Sequence, residues 1–283
     1  MTARWVDTRH ITRMPSVARA ASQGRLACVN VELQGARSAK AIPSCDLFIR
    51  TYRKDFDWLR LCLVSISKFC HGFGSVIVIV PRSSRGWLAR LPRLDKNVHV
   101  ELCPDYPDDY LGQQVTKLFA DTFSTADFLC HVDVDCIFQH DVSPSDFIVG
   151  DKPIVAFRRF EELGRHWPWR TPASRFLGWD LEHDYMQQPP FTYPRWLYAR
   201  VRAHALSVHG MDIARYVLSM QPRGFSEFNV LGGYSWARYQ DRFVWVHADD
   251  SGDVQPHCRW YWSWGGIDRE TRAEIETLLG SNT

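Results

Sequence analysis

The chain has 283 residues, 45% hydrophobic and 23% charged, with a formal net charge of +2, enough material for one large domain or two modest ones with a sizeable core. The longest compact apolar run is the short SVIVIV at 75–80 and no secretory-type apolar centre marks the N-terminal region, so a membrane span and export are not expected and the cytoplasm is. The eight cysteines include no CxxC pair and mostly sit among apolar neighbours, which suits reduced thiols better than a disulfide framework.

Residues 1–44 read as a basic N-terminal arm. Seven basic side chains (Arg4, Arg9, Arg13, Arg19, Arg25, Arg37, Lys40) face Asp7 and Glu32 within the first 40 positions. A solvated arm and a polyanion contact both fit this composition. From residue 46 the periods alternate: strand DLFIRTY (46–52), helix DFDWLRLCLVSISKFC (55–70) and strand SVIVIVP (75–81). A helical candidate RSSRGWLARL, strand NVHVEL (97–102), helix YLGQQVTKLFADTF (110–123) and strand DFLCHVDVD (127–135) follow, with PIVAF (153–157) behind. Such alternation predicts an α/β fold with a mixed, mostly parallel sheet flanked by helices, and ligands bind such sheets at the strands' carboxyl ends.

HVDVD puts His131, Asp133 and Asp135 on one side of a strand of period two, with Val132 and Val134 on the other. Two converging carboxylates raise each other's pKa unless a cation relieves them, and Mg²⁺ or Mn²⁺ would do so while leaving positions open for phosphate. Capping of loops or pairing with arginines would also account for them. On the helix before this strand, Gln113, Gln114 and Lys117 share a face, where the lysine could neutralise a diphosphate or pair with Asp133. Ser226 reads as a helix N-cap and Glu227 as a first-turn acid, a sufficient structural role for both.

The ordered set YLGQQVTKL, DVD, SVHGMD (207–212), FSEFNVLGGY (225–234) and HCRWYWSWGGI (257–267) resembles a bacterial and viral branch of GT-A nucleotide-sugar glycosyltransferases over residues 45–267. The resemblance implies a Rossmann-like GT-A domain over 45–267 with an aromatic and Arg-rich insertion at about 158–204, followed by a C-terminal helix or tail at 268–283. It implies a donor, a UDP-sugar foremost, held by Thr51, Tyr52, Gln114, Lys117, Asp133 and Trp264, with Mn²⁺ or Mg²⁺ on Asp133, Asp135 and His257, His247 being the rival ligand. Glu227 would be the catalytic base of an inverting reaction, with Trp179 and Asn229 at the acceptor. The stretch 157–204 carries eight arginines interleaved with eleven aromatic side chains, a composition suited to sugars, exposed bases and phosphate, or to a small core of its own. Two acceptors fit it: a saccharide or surface polymer, and a 5-hydroxymethylpyrimidine such as hydroxymethylcytosine in phage-type DNA. A non-catalytic sugar-nucleotide or carbohydrate-binding protein and a metal-dependent phosphohydrolase stand as readings of other kinds.

Overall fold

The structure is a computed structural model that describes residues 43–91, 95, 97–164, 168–250, 256–261, 263 and 265–280. The basic arm, apart from residues 43 and 44, lies outside them. The first half of the chain alternates as its periods predict: β1 (Cys45–Arg50), α1 (Phe56–Phe69), β2 (Val76–Pro81), β3 (Val98–Cys103), α2 (Asp109–Leu118) and β4 (Phe128–His131). Short strands β5 (Cys136–Phe138) and β6 (Ile148–Val149), the longer β7 (Lys152–Arg159), α3 (Arg170–Leu177), and strands β8 (His183–Asp184) and β9 (Phe191–Pro194) come next. The chain then runs through α4 (Arg195–His209), α5 (Ile213–Leu218), α6 (Glu227–Tyr239), β10 (Val244–His247), β11 (Cys258–Trp260) and α7 (Arg269–Leu279).

The central sheet has the order β3-β2-β1-β4-β9, with four parallel strands and β9 antiparallel to β4. Helices on both sides explain why its strands read as continuous apolar runs. Leu47, Ile49, Val76, Val78 and Val80 face α1 and α7, while Phe48, Ile77, Ile79 and Leu129 face a second core shared with α2, α4 and α6. A smaller sheet of order β10-β7-β6, with β8 paired to β7, and a two-stranded ladder of β11 with β5 complete the pairing. The fold is thus α/β, with a mixed and mostly parallel sheet flanked by helices, compatible with a Rossmann-like arrangement. Among the described residues no helix is long and apolar enough to cross a membrane, and the seven described cysteines are free thiols.

Four expectations are corrected. RSSRGWLAR forms 3-10 turns over Arg82–Arg90 rather than an α-helix. The helix expected over 110–123 stops at Leu118 and passes into a 3-10 turn at Ala120–Thr122, where Arg202 takes up the Leu118 carbonyl at 2.9 Å and makes a two-pronged bond to Asp121. The strand expected to reach residue 135 stops at His131, so the two aspartates occupy the turn after it. The stretch 158–204 does not stand outside the sheet: Phe191–Pro194 is the fifth strand, and Phe176, Tyr185, Tyr193 and Tyr198 are core residues. Within 268–283 the expected C-terminal helix forms as α7. Ile275 and Leu279 of α7 are buried against the α1 side, and Lys68 of α1 donates to the carbonyls of Leu278 and Leu279 at 3.3 and 3.1 Å.

Helix α6 lies unusually close to its neighbours because it carries Gly232 and Gly233. A Cβ at Gly232 would run into the Tyr185 ring and one at Gly233 into Leu181 and Leu177. Gly232→Ala should therefore lower unfolding free energy by about 1–3 kcal/mol, despite the higher helix propensity of alanine. Urea unfolding of the two proteins side by side measures this, and an unchanged midpoint would mean that the ring moves aside without loss.

Candidate functional site

The strand order reverses direction at β1: its crossover through α1 leads to β2 on one side, while β4 arrives on the other. A crevice opens at such a point beyond the carboxyl ends of the strands. The residues that close β1 and follow β4 are Arg50, Thr51 and Tyr52 on one wall and Asp133 and Asp135 on the other.

Helix α2 supplies the floor. Asp108 caps it by accepting from the Leu111 amide at 2.8 Å, which starts the helix in the register that turns Gln113, Gln114 and Lys117 inward. Lys117 is buried between two carboxylates, its Nζ 2.7 Å from Asp133 Oδ1 and 2.8 Å from Glu227 Oε1, and 4.6 Å from the centre of the Phe228 ring. Burial pulls the Lys117 pKa down, but the two carboxylates outweigh it and hold the ammonium above the ordinary lysine value. Gln113 Nε2 reaches Asp133 Oδ1 at 3.4 Å, and Gln114 Oε1 accepts from the Glu227 amide at 2.8 Å. The Ser226 hydroxyl accepts from the Asn229 amide at 3.4 Å and starts α6, as expected of an N-cap.

Asp133 and Asp135 have different surroundings. They are joined by a tight turn in which the Cys136 amide donates to the Asp133 carbonyl at 2.9 Å. Asp133 spends its carboxylate on Lys117. Asp135 is 7% exposed and accepts from the Ser263 amide at 3.1 Å, while its backbone carbonyl takes the Tyr261 amide at 2.7 Å. Burial and then the neighbouring Asp133 charge push the Asp135 carboxyl up to about 7.

A second acid pair lies on the β1 side and was not read from sequence as part of the site. Buried Arg50 makes a two-pronged bond to Asp109, Nη2 to Oδ1 at 2.6 Å and Nη1 to Oδ2 at 3.1 Å, and also donates to the Thr51 carbonyl at 3.1 Å. Asp55 is pushed up to about 7, first by burial and next by Asp109, with Arg50 and Lys54 opposing and Asp133 adding to the rise. The Tyr52 phenol is raised by burial and then by Asp55 and Asp109. A charged residue inside the apolar strand DLFIR was the available signal for Arg50.

The structure brings together Thr51, Tyr52, Gln114, Lys117, Asp133, Asp135 and Glu227 around this crevice. It does not bring in five others. His257 opposes Gln139, whose amide donates to its carbonyl at 3.3 Å, and its ring packs on Phe147 at 4.8 Å. Asp135 sits at the other end of the β5–β11 ladder beside Tyr261, about 13 Å of extended chain away. His247 bonds Glu162 at 2.8 Å on the smaller sheet. Asn229 is fully buried and accepts from the Tyr185 amide at 2.9 Å, a bond that holds β8 to α6. Trp179 packs on Tyr234 at 6.5 Å and under the Arg238 guanidinium at 5.4 Å, and Tyr234 is about 10 Å up α6 from Glu227. Trp264 lies outside the described residues. His131, expected beside the aspartates, faces the core, where Nε2 meets the Tyr198 hydroxyl at 2.5 Å and burial, then Lys117, hold its pKa down.

Residues 49–263 match a family of unknown function, DUF6492. The chain belongs to this family. Its match begins in β1 and ends at the Ser263 amide that binds Asp135, so the DUF6492 region contains every side chain of the crevice. No curated protein matches the chain.

Among the described residues no three or more His, Cys, Asp or Glu side chains converge as a metal cage. Asp133 and Asp135 offer two carboxylates, a number that holds Mg²⁺ when phosphate oxygens complete its shell. The buried Asp135 carboxyl without a cationic partner fits that use.

Two expectations follow from the charges. Lys117→Met would strand Asp133 and Glu227 and should cost about 3–5 kcal/mol in urea unfolding at neutral pH. For Asp135 the folded carboxyl titrates at about 7 against an ordinary 3.8. The folded state therefore binds the extra proton between those values, and the stability present at low pH is lost as pH rises through about 7. Asp135→Asn should remove on the order of 2 kcal/mol of that loss between pH 5 and pH 8, read from unfolding midpoints across the series, and parallel curves for the two proteins would refute the assignment.

Proposed function

We propose that this chain transfers a sugar from a nucleoside-diphosphate donor, a UDP-sugar foremost, to an acceptor hydroxyl. The observation that carries this reading is a carboxylate pair in the turn after β4, where the strand order reverses, in which Asp133 is held by Lys117 and Asp135 has no cationic partner among the described residues. The ordered sequence blocks that resemble GT-A glycosyltransferases support it. Bound Mn²⁺ or Mg²⁺ supplies charge neutralisation to the departing diphosphate.

The chain's own residues do the rest. Asp133 and Asp135 would hold the cation that accompanies the diphosphate, and Lys117, already fixed by Asp133, would add positive charge at the same edge. Thr51 and Tyr52 line the wall on which the nucleoside end rests. The acceptor oxygen attacks the anomeric carbon, the bond from that carbon to the diphosphate breaks, and the nucleoside diphosphate leaves with the electron pair. The acceptor's proton needs a base within about 3 Å. Glu227 was the expectation, but it is 2% exposed and bound to Lys117, so it serves as the positioning residue for that lysine. Asp55, half-buried at the mouth of the crevice and titrating near 7, is the carboxylate suited to receive the proton.

The test incubates the protein with Mn²⁺ or Mg²⁺, a panel of UDP- and GDP-sugars, and hydroxymethylcytosine DNA, unmodified DNA or neutral oligosaccharides, reading intact product mass. Transfer should fall by more than about 100-fold in Asp135→Asn. Asp55→Asn should lower kcat about 100-fold or more and remove the rise of rate with pH near 7, whereas Glu227→Gln should weaken donor binding through Lys117. Monophosphate release without acceptor would replace the proposal with phosphohydrolysis, and tight donor binding with no product would replace it with a binding protein.

A further inference from the structure

A second cavity lies where the first turns of α4 meet the end of α6. It has a volume of about 220 Å³ and is lined by Trp196, Arg200, Tyr239 and Arg242. Trp196 and Arg200 stand four apart on α4 and so share a face. Trp196 meets the Tyr239 ring at 4.8 Å and 75°, edge to face, while remaining 36% exposed. Both arginines are exposed. On α4 the guanidinium that finds a carboxylate is that of Arg202, with Asp121; among the described residues no carboxylate pairs with Arg200 or Arg242. Helix α4 also starts with no side-chain cap and no acid in its first turn, so its positive end is not offset there.

Two unpaired guanidiniums beside an aromatic pair select the ligand. A neutral sugar would use the rings and leave both charges idle. Inorganic phosphate would use the charges and leave the rings idle. A nucleoside phosphate uses both, its base against Trp196 or Tyr239 and its phosphate on the arginines. The volume is below the roughly 300–1,000 Å³ of a drug-sized pocket, which suits one ring and one phosphate rather than a longer ligand wholly enclosed. Glu227 opens α6 and Tyr239 closes it, about 18 Å along the axis, so the cavity is separate from the carboxylate crevice. We propose that Trp196, Arg200, Tyr239 and Arg242 form a binding site for a nucleoside phosphate unit, either free or within a single-stranded nucleic acid. The site does not depend on the reaction proposed above, and its test uses no donor sugar.

Fluorescence anisotropy of labelled oligo-dT with the full chain tests it, with UMP, pyrophosphate and a neutral oligosaccharide as competitors. The Arg200→Ala/Arg242→Ala double variant should weaken binding roughly 100-fold and flatten the dependence of log K on log salt by about 1.4, two single-strand phosphate contacts' worth. Trp196→Ala should weaken it about 10-fold with the salt slope unchanged. Displacement by UMP would identify a free nucleotide as sufficient, and resistance to UMP with retained oligo-dT binding would identify the polymer. The proposal is overturned if the wild type binds neither oligo-dT nor labelled UMP, if both variants bind as the wild type does, or if pyrophosphate or the neutral oligosaccharide competes as well as the nucleotide.

Discussion

The burial of Lys117 between Asp133 and Glu227 is the constraint on which the rest of the site depends. An ammonium removed from water is tolerated only when charge and hydrogen bonds replace its hydration. Here the replacements come from two separate parts of the chain, the turn after β4 and the first turn of α6, so one side chain of α2 fixes both. Gln114 reinforces the same junction by accepting from the Glu227 amide. Phe228, next to Glu227, lies under the ammonium and stacks on Phe191 of the fifth strand at 4.1 Å. The charged crevice is therefore continuous with the core packing, and a change in α6 is felt at Asp133.

The remaining charges fall into two states. Arg50 satisfies Asp109 and Lys117 satisfies Asp133 and Glu227, which uses both buried Lys and Arg side chains among the described residues. Asp135 is left with the Ser263 amide and the like charge of Asp133, and Asp55 with burial and Asp109 outweighing Arg50 and Lys54, and both titrate near 7. A fold selected for stability alone would exchange such groups for neutral ones. Their position at the carboxyl edge of the sheet, where loops rather than strands meet solvent, confines the unfavourable electrostatics to the place where a ligand can relieve it.

Much of the frame was legible in the sequence because it is written in local periods. VIVIV and the Ser-Glu start of α6 each specify their element within a few residues. Lys117 with Asp133 was legible too, since a face of α2 and the end of the next strand must meet. The failures at the site were matters of distance in space. Nothing local stops a strand at His131 rather than Asp135; the Tyr198 hydroxyl, 67 positions away, turns the histidine inward. His257 looked like a ligand because it precedes an aromatic run, yet antiparallel pairing of β11 with β5 places it beside Gln139 and gives Asp135 the backbone of Tyr261 and Ser263 instead. Arg50 and Asp109, 59 positions apart, have no shared motif at all.

Helix α6 gives these separate observations a common geometry. Its first residue belongs to the crevice, its middle is pressed by Gly232 and Gly233 against Tyr185, Leu177 and Leu181, and its last residue lines the basic aromatic cavity. Close backbone approach on one side and the Lys117 ion pair at its start leave it little freedom to slide or rotate. The two ends are therefore held at a fixed spacing of about 18 Å, set by the thirteen residues of the helix rather than by loops. A polymer carrying a nucleoside phosphate would meet both ends only at a set interval along its length, so the rigidity of one helix would convert two local recognitions into a choice of position.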